Sequence, residues 1–318
     1  MESHAPIVGR LAPSPTGAQH VGNARTYLIA WLSARSRGGS VGLRIEDIDS
    51  PRIKPGAAAG AIDDLHWLGL DWDGVPLVQT ERLSFYEAAL VQLQARDLVY
   101  PCTCTRTDVE RAASAPHPEH EGPIYPGTCA HRRAVDARDL PPGSFAWRMR
   151  VGSETIVFED GFHGPLAMNL HEIGGDFVVW KSAGTPAYQL AVVVDDAAQQ
   201  VSEVVRGDDL LPSTPRQLLL YRELGLMPPR FVHVPLVIGP DGKRLAKRHG
   251  DTRLQALRAA GVSAQALLGL LAWSCGWLDS IRPITLNELR LGFDLATIPR
   301  QPFTLTPEVL AEMGYHSP

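Results

Sequence analysis

Five groups of residues carry side chains whose types and spacing can do chemistry. His20 and Asn23 close a Pro/Gly-rich turn, PIVGRLAPSPTGAQHVGN over residues 6–23, that starts with Arg10 to Ser14 and leads into a helical pattern. An imidazole and an amide at a helix start can hydrogen-bond the negative charge that develops on a phosphate, with no covalent bond to it. Neither GxxxxGK(S/T) nor GxGxxG is present, so the P-loop and dinucleotide readings fail. The second group is Arg44-Ile45-Glu46-Asp47-Ile48-Asp49 with Arg52, in which Arg44 and Glu46 share one face of a strand end and a carboxylate can hold a ligand ammonium. The third is Cys102-Thr103-Cys104 with Cys129, three thiols able to share one zinc ion. Tyr125 and His131 compete for the fourth ligand position, and His117 and His120 are less well placed. The fourth runs from Tyr188-Gln189 through Asp195-Asp196 to Arg206-Gly207-Asp208-Asp209, where an arginine fork can read a carboxylate. The fifth is the basic loop Gly239–Gly250, whose Lys243, Arg244, Lys247 and Arg248 can neutralise a polyphosphate.

These groups need elements to hold them. Val8 and its neighbours read as a strand, and Ala24, Tyr27, Leu28, Trp31 and Leu32 recur at the spacing of one helical face. Val41–Ile45 alternates as a second strand; helices are expected over Ala57–Leu68 and Glu81–Arg96. Strand–helix alternation over the first hundred residues indicates a parallel α/β sheet. Residues 101–145, rich in Pro, His, Gly and Cys, read as an insertion held by something other than a core. Strands are expected again at Ala191–Val194, Val201–Val205 and Val232–Ile238, with a helix announced by the capping residue Ser213 and by Pro215. Beyond Asp251 the pattern is helical: Ala264–Ser274, a capping box at Thr285–Glu288, and a helix opened by Thr306-Pro307.

At 318 residues, 44% hydrophobic and 20% charged, the chain has the composition of a globular protein with ample core. A net charge of −5 argues against a generally basic nucleic-acid coat, while a local basic groove stays open. Four cysteines in so long a chain do not make a disulfide scaffold. No apolar run spans a membrane and no secretory signal stands at the N-terminus, so a cytoplasmic setting is expected.

The order of the groups identifies a resemblance. GRLAPSPTGAQHVGNART is similar to the glutamyl form of the HIGH region of class I aminoacyl-tRNA synthetases, and LRIEDID, LGLDWD, QTERL, YQLAVVVDD, VVRGDDLL and GKRLAKRHG resemble further segments of that family over about residues 6–250. Two departures are visible: Asn23 stands where the motif has its second histidine, and Ala246 replaces the small hydroxyl residue of the KMSKS-like loop. Fewer than about seventy residues follow, which resembles the short branch of the family that attaches glutamate to queuosine in the anticodon of tRNA(Asp).

The resemblance implies a Rossmann-like catalytic domain in two halves, residues 1–100 and 191–250. It places a zinc-bearing, acceptor-type insertion over 101–190 and a short helical region over 251–318 with no anticodon-binding domain. It implies that Arg10, Ser14, Glu46, Tyr188 and Arg206 hold L-glutamate, that His20, Asn23 and Lys247 serve ATP with Mg2+, and that Tyr125 joins Cys102, Cys104 and Cys129 on one zinc. His20 and Lys247 are the expected catalytic cations and donors, tRNA(Asp) bearing queuosine the acceptor, and the monomer the expected state. Lys181 and Arg216 are candidates to meet the tRNA backbone. Three other readings stand beside this one. They are a minimal glutamyl-tRNA synthetase charging a 3′ end, a nucleotidylyltransferase that does not aminoacylate, and a catalytically silent tRNA-binding module.

Overall fold

In the computed structural model, which describes residues 6–48, 53–112, 124–245 and 251–315, the first apolar run forms strand β1 (Val8–Leu11) and the turn delivers the chain to helix α1 (Val21–Arg35). Strand β2 (Ser40–Ile45) pairs parallel with β1, with Val8 opposite Ser40 and Leu11 opposite Leu43. Helix α2 (Ala57–Leu68) crosses over to a short β3 (Leu77–Val78), parallel to β2, and a 3-10 turn at Gln79–Arg82 leads into α3 (Leu83–Ala95). The insertion follows with β4 (Val99–Cys102), α4 (Arg106–Ala112), β5 (Ala146–Met149), the hairpin β6 (Thr155–Asp160) and β7 (Gly164–Asn169), and β8 (Phe177–Trp180). Strands β4, β5 and β8 make an antiparallel sheet of their own.

The chain then returns through α5 (Tyr188–Ala198), β9 (Glu203–Gly207), α6 (Ser213–Leu224) and β10 (Arg230–Val234). Strand β10 pairs parallel with β9 along its length and meets β6 at Phe231 and Asp160. Ser202 N donates to Val8 O at 2.9 Å, which lays β9 beside β1 and joins the two halves of the parallel sheet. From β1 the order runs outward to β2 in one direction and to β9 and β10 in the other. That switch point opens a crevice beyond the carboxyl ends of β1 and β9, the place where open α/β sheets bind ligands.

Both faces of the sheet are covered, and β9 (EVVRG) is buried at every position, its Glu203 and Arg206 included. Val204 and Phe231 point to a core shared with Tyr86 and Leu90 of α3, Leu190 of α5 and Leu220 of α6. Val205, Val232 and Val234 point to the opposite core, built on α1 and on the C-terminal elements β11 (Val237–Ile238), α7 (Leu254–Ala259), α8 (Ala264–Ser274), α9 (Leu286–Gly292), β12 (Phe303–Thr304) and α10 (Pro307–Glu312).

Four sequence expectations change. Helix α1 has no solvent face of any width, because it lies between the sheet and the C-terminal layer: Ala24, Leu28, Ile29, Ala30, Trp31 and Leu32 are all buried. Even Arg25 is buried, its Nη1 donating to Pro235 O and its Nε to Ser274 Oγ at 3.0 Å. Ala191–Val194 belongs to helix α5, not to a strand; a short β-branched run cannot tell a buried helix from a buried strand, and here packing on α3 and α6 decides. Val232–Ile238 is split into β10 and β11 at Pro235, which has no N–H to give to the ladder. Pro212, not Ser213, takes the cap position of α6, and the Ser213 hydroxyl accepts instead from Gln189 Nε2 at 2.9 Å. The helices over Ala57–Leu68 and Ala264–Ser274 and the Thr285–Glu288 capping box stand where expected. Among the described residues no helix is long and apolar enough to cross a membrane.

Candidate active site and metal site

The turn after β1 ends on His20, which caps α1. Its Nδ1 accepts from Gly22 N at 3.1 Å and Asn23 N at 3.4 Å, while Asn23 Oδ1 accepts from His20 N at 3.1 Å. This reciprocal box replaces the usual hydroxyl and carboxylate by an imidazole and an amide. Because Nδ1 accepts, the proton sits on Nε2, for which no hydrogen bond is seen among the described residues. Burial, and then the Arg244 charge, lowers the His20 pKa and keeps the ring neutral. Gly22 eases the fold-back: a Cβ there would stand 3.1 Å from the ring and press on it.

Charge accumulates at the ends of β1, β2 and β9. Arg10 Nε donates to Asp196 Oδ1 at 3.1 Å, and Arg44 Nη1 reaches the same oxygen at 2.5 Å. Arg44 Nη2 also bonds Glu46 Oε1 at 3.0 Å, and Ser14 Oγ donates to Glu46 Oε2 at 3.4 Å. Glu46 is therefore already half of an ion pair. Arg206 differs from the other two arginines. Its Nε donates to His233 Nε2 at 3.0 Å and its Nη2 to Thr214 Oγ1 at 2.9 Å, but Nη1 is buried with no partner. Burial lowers the pKa of this guanidinium; the Tyr188 phenol and the Asp196 charge oppose that shift without cancelling it. Tyr188, the first residue of α5, lies close enough to Arg206 to feel its charge.

These side chains line one cleft of about 620 Å³: Arg10, Ser14, His20, Asn23, Glu46, Tyr188 and Arg206 are all in its wall. The basic loop is tied to the same rim. Arg244 bridges to Ile238 and forms a salt bridge with Asp209 across the mouth. On the return, Val21 N donates to Thr252 O at 3.0 Å and Leu254 N to Gln19 O at 2.9 Å, beside His20. Lys247, with Ala246, Arg248, His249 and Gly250, lies outside the described residues, as do Asp49, Arg52, His117 and His120. Lys181 and Arg216 are not in the cleft wall; Arg216 Nη2 donates to Ile173 O at 2.6 Å. Asp160, His233 and Thr214 were not singled out from sequence, although a histidine inside the apolar strand FVHV was a visible signal.

In the insertion, Cys102, Cys104 and Cys129 bring their sulfurs within 4.8 Å of one another. Tyr125 Oη stands 3.3 Å from Cys102 Sγ and accepts from Cys129 N at 2.8 Å, so the phenol belongs to the same group. His131 is exposed and its ring nitrogens are not part of it. Burial raises Cys104 to about 11, with Cys102 adding to the effect. Burial also acts on Cys129, but hydrogen bonds from the Thr103 backbone and from Cys104 outweigh it and bring the thiol down to about 7. The Arg148 guanidinium lies 3.9 Å over the Tyr125 ring, with Nε 3.3 Å from Cys102 Sγ, placing a cation beside the cysteine group. Three sulfurs and a phenol oxygen at this spacing fit the soft tetrahedral preference of zinc.

Residues 6–285 match the family of class I tRNA synthetases (E and Q), catalytic domain. A glutamyl-Q tRNA(Asp) synthetase of Symbiobacterium thermophilum is 49% identical over 97% of this chain and 98% of its own. One of Rhodopirellula baltica is 50% identical over 93% of this chain and 95% of its own. Among solved structures, a glutamate tRNA ligase from Elizabethkingia meningosepticum, crystallised in complex with its amino acid, superposes with a TM-score of 0.81 at 25% identity. The match covers 97% of this chain and 69% of that one.

Proposed function

Because the chain belongs to the class I tRNA synthetases of the E and Q type, we propose that it activates glutamate with ATP and transfers it to queuosine in the anticodon of tRNA(Asp). The observation that carries the amino-acid choice is the unpaired Arg206 Nη1 in the cleft wall. Of the charges gathered at the strand ends, Arg10, Arg44 and Arg206 face Glu46 and Asp196. One positive charge is left over, the complement of a glutamate zwitterion with its single net negative charge. Arg206 takes the side-chain carboxylate as a bidentate fork, Glu46 with Ser14 receives the ammonium, and Arg10 and Tyr188 close the pocket.

The glutamate α-carboxylate attacks the α-phosphate of ATP in line, and pyrophosphate leaves. His20 Nε2 and the N-terminus of α1, with Asn23, meet the phosphate charge as it develops, and Lys247 supplies the cation from the loop. Mg2+ accompanies ATP and shares that neutralisation. A hydroxyl of the queuosine cyclopentenediol then attacks the activated carbonyl and expels AMP. No side chain acts as nucleophile; positioning and charge stabilisation carry the reaction. Cys102, Cys104, Tyr125 and Cys129 hold one structural zinc that cross-links the insertion. The chain divides into catalytic halves at residues 1–100 and 191–250, an insertion over 101–190 and a C-terminal layer over 251–318.

The acceptor is tested with radiolabelled glutamate, ATP and two forms of tRNA(Asp). Label is expected on the queuosine-bearing tRNA and absent from the same transcript lacking it. Efficient charging of unmodified tRNA(Glu) at its 3′ end would overturn the acceptor and return the chain to the 3′-charging synthetases.

A further inference from the structure

We propose that Asp160 and His233 are positioning residues for the carboxylate-reading arginine: a buried relay from Asp160 through His233 to Arg206 sets the plane in which the Arg206 fork meets glutamate. The inference rests on the reading of Arg206 given above. The three residues sit on adjacent strands, with His233 of β10 in register with Arg206 of β9, and Phe231, two residues earlier, opposite Asp160 of β6. All are buried, at 1% exposure for Asp160, 0% for His233 and 4% for Arg206.

Asp160 Oδ1 accepts three backbone N–H groups, from Phe162 at 3.0 Å, His163 at 2.9 Å and His233 at 3.3 Å. Its Oδ2 is thereby turned to His233 Nδ1, at 2.6 Å. A carboxylate there requires the ring proton on Nδ1, which leaves a lone pair on Nε2. That lone pair is what Arg206 Nε–H needs, at 3.0 Å, because a guanidinium can only donate. Thr214 Oγ1 takes Nη2 at 2.9 Å, and the Phe231 ring supports the guanidinium face at 5.0 Å. With Nε–H and one N–H of Nη2 held, the two N–H groups of Nη1 and the second of Nη2 remain, an end-on fork for a ligand carboxylate.

Asp160→Asn tests the relay with little change of shape. Its single oxygen keeps the three backbone donors, so the amide NH2 faces His233 Nδ1 and drives the ring proton to Nε2, against Arg206 Nε–H. The same logic holds for tautomer control by a buried carboxylate elsewhere. In glutamate-dependent ATP–pyrophosphate exchange, KM for glutamate is expected to rise roughly 10- to 100-fold, the weight of one misplaced charge-assisted hydrogen bond. KM for ATP should stay within about twofold, since His20 and α1 are untouched. His233→Gln, whose amide oxygen reaches toward Arg206 Nε and has no tautomer, should retain more glutamate affinity than His233→Leu. This comparison decides the matter if Asp160→Asn does not fold.

Arg206→Ala separates the two ideas. If it leaves KM for glutamate unchanged, the reading of Arg206 falls and the relay with it. If Arg206→Ala raises that KM while Asp160→Asn does not, or Gln and Leu at 233 behave alike, the relay alone is overturned. An equal rise in both KM values for Asp160→Asn also overturns it.

Discussion

Replacing Arg206 by alanine separates a substrate-reading charge from a structural one. In the free protein the guanidinium is buried beside a neutral histidine, a threonine, the Tyr188 phenol and an aromatic face; among the described residues Nη1 has no hydrogen-bond partner and no carboxylate bonds the group. Its desolvation is only partly offset, by Tyr188 and Asp196, until a ligand carboxylate arrives. Two unit charges about 4 Å apart at an effective dielectric of about 20 attract by roughly 4 kcal/mol. Loss of that attraction corresponds to about a thousandfold in glutamate affinity. Glutamate-dependent pyrophosphate exchange should therefore show KM for glutamate raised by about three orders of magnitude, with discrimination against glutamine largely gone. The melting temperature should move by only a few degrees, because relief of the buried charge offsets the lost packing. Normal glutamate KM in a folded variant would refute the reasoning. So would a variant that simply fails to fold, since Arg206 would then be a structural charge.

Two further outcomes follow. Protein purified without chelators should contain about one equivalent of zinc. Cys102→Ser or Cys129→Ser should release it and impair transfer to tRNA more than adenylate formation; metal analysis finding no zinc removes the site, and Tyr125→Phe against His131→Ala identifies the fourth ligand. The acid limb of stability should carry a signature of His233. Burial brings its pKa from 6.5 down to about 4, so the unfolded chain takes a proton that the folded chain refuses. Its contribution is whole above about pH 6.5 and is lost as pH falls toward 4, up to about 3 kcal/mol, and His233→Gln should flatten denaturant midpoints across that window. An unchanged slope in that variant would show that the ring titrates normally.

On the proposed reading of Arg206, the charge pattern of the cleft sets stability against function. Asp196 neutralises Arg10 and shares Arg44 with Glu46, so those two arginines are paid for within the fold. Arg206 is left to the ligand. A pocket that closed every ion pair internally would be more stable and would have nothing with which to distinguish glutamate from glutamine.

Chemistry that depends on short spacing was legible in the chain itself. The turn that ends in His20, Gly22 and Asn23, the strand that carries Arg44 and Glu46, and the Cys102-Thr103-Cys104 pair lie within a few residues of one another, so backbone geometry alone limits where their side chains can go. Helix ends marked by local hydrogen bonds were equally clear, as at Thr285 and Glu288. Tertiary structure decided what local pattern could not. Whether Ala191–Val194 coils or extends depends on α3 and α6, which lie far away in sequence. Whether α1 has a wet face depends on a C-terminal layer more than two hundred residues later. Which of Tyr125 and His131 lies near the cysteines was also a tertiary matter: the chain folds the Tyr125 phenol onto Cys102 and leaves His131 in solvent. The Asp160–His233–Arg206 relay was invisible for the same reason. Its members come from three strands that only sheet register brings side by side, and a hydrogen bond between strands leaves no spacing in the sequence to read.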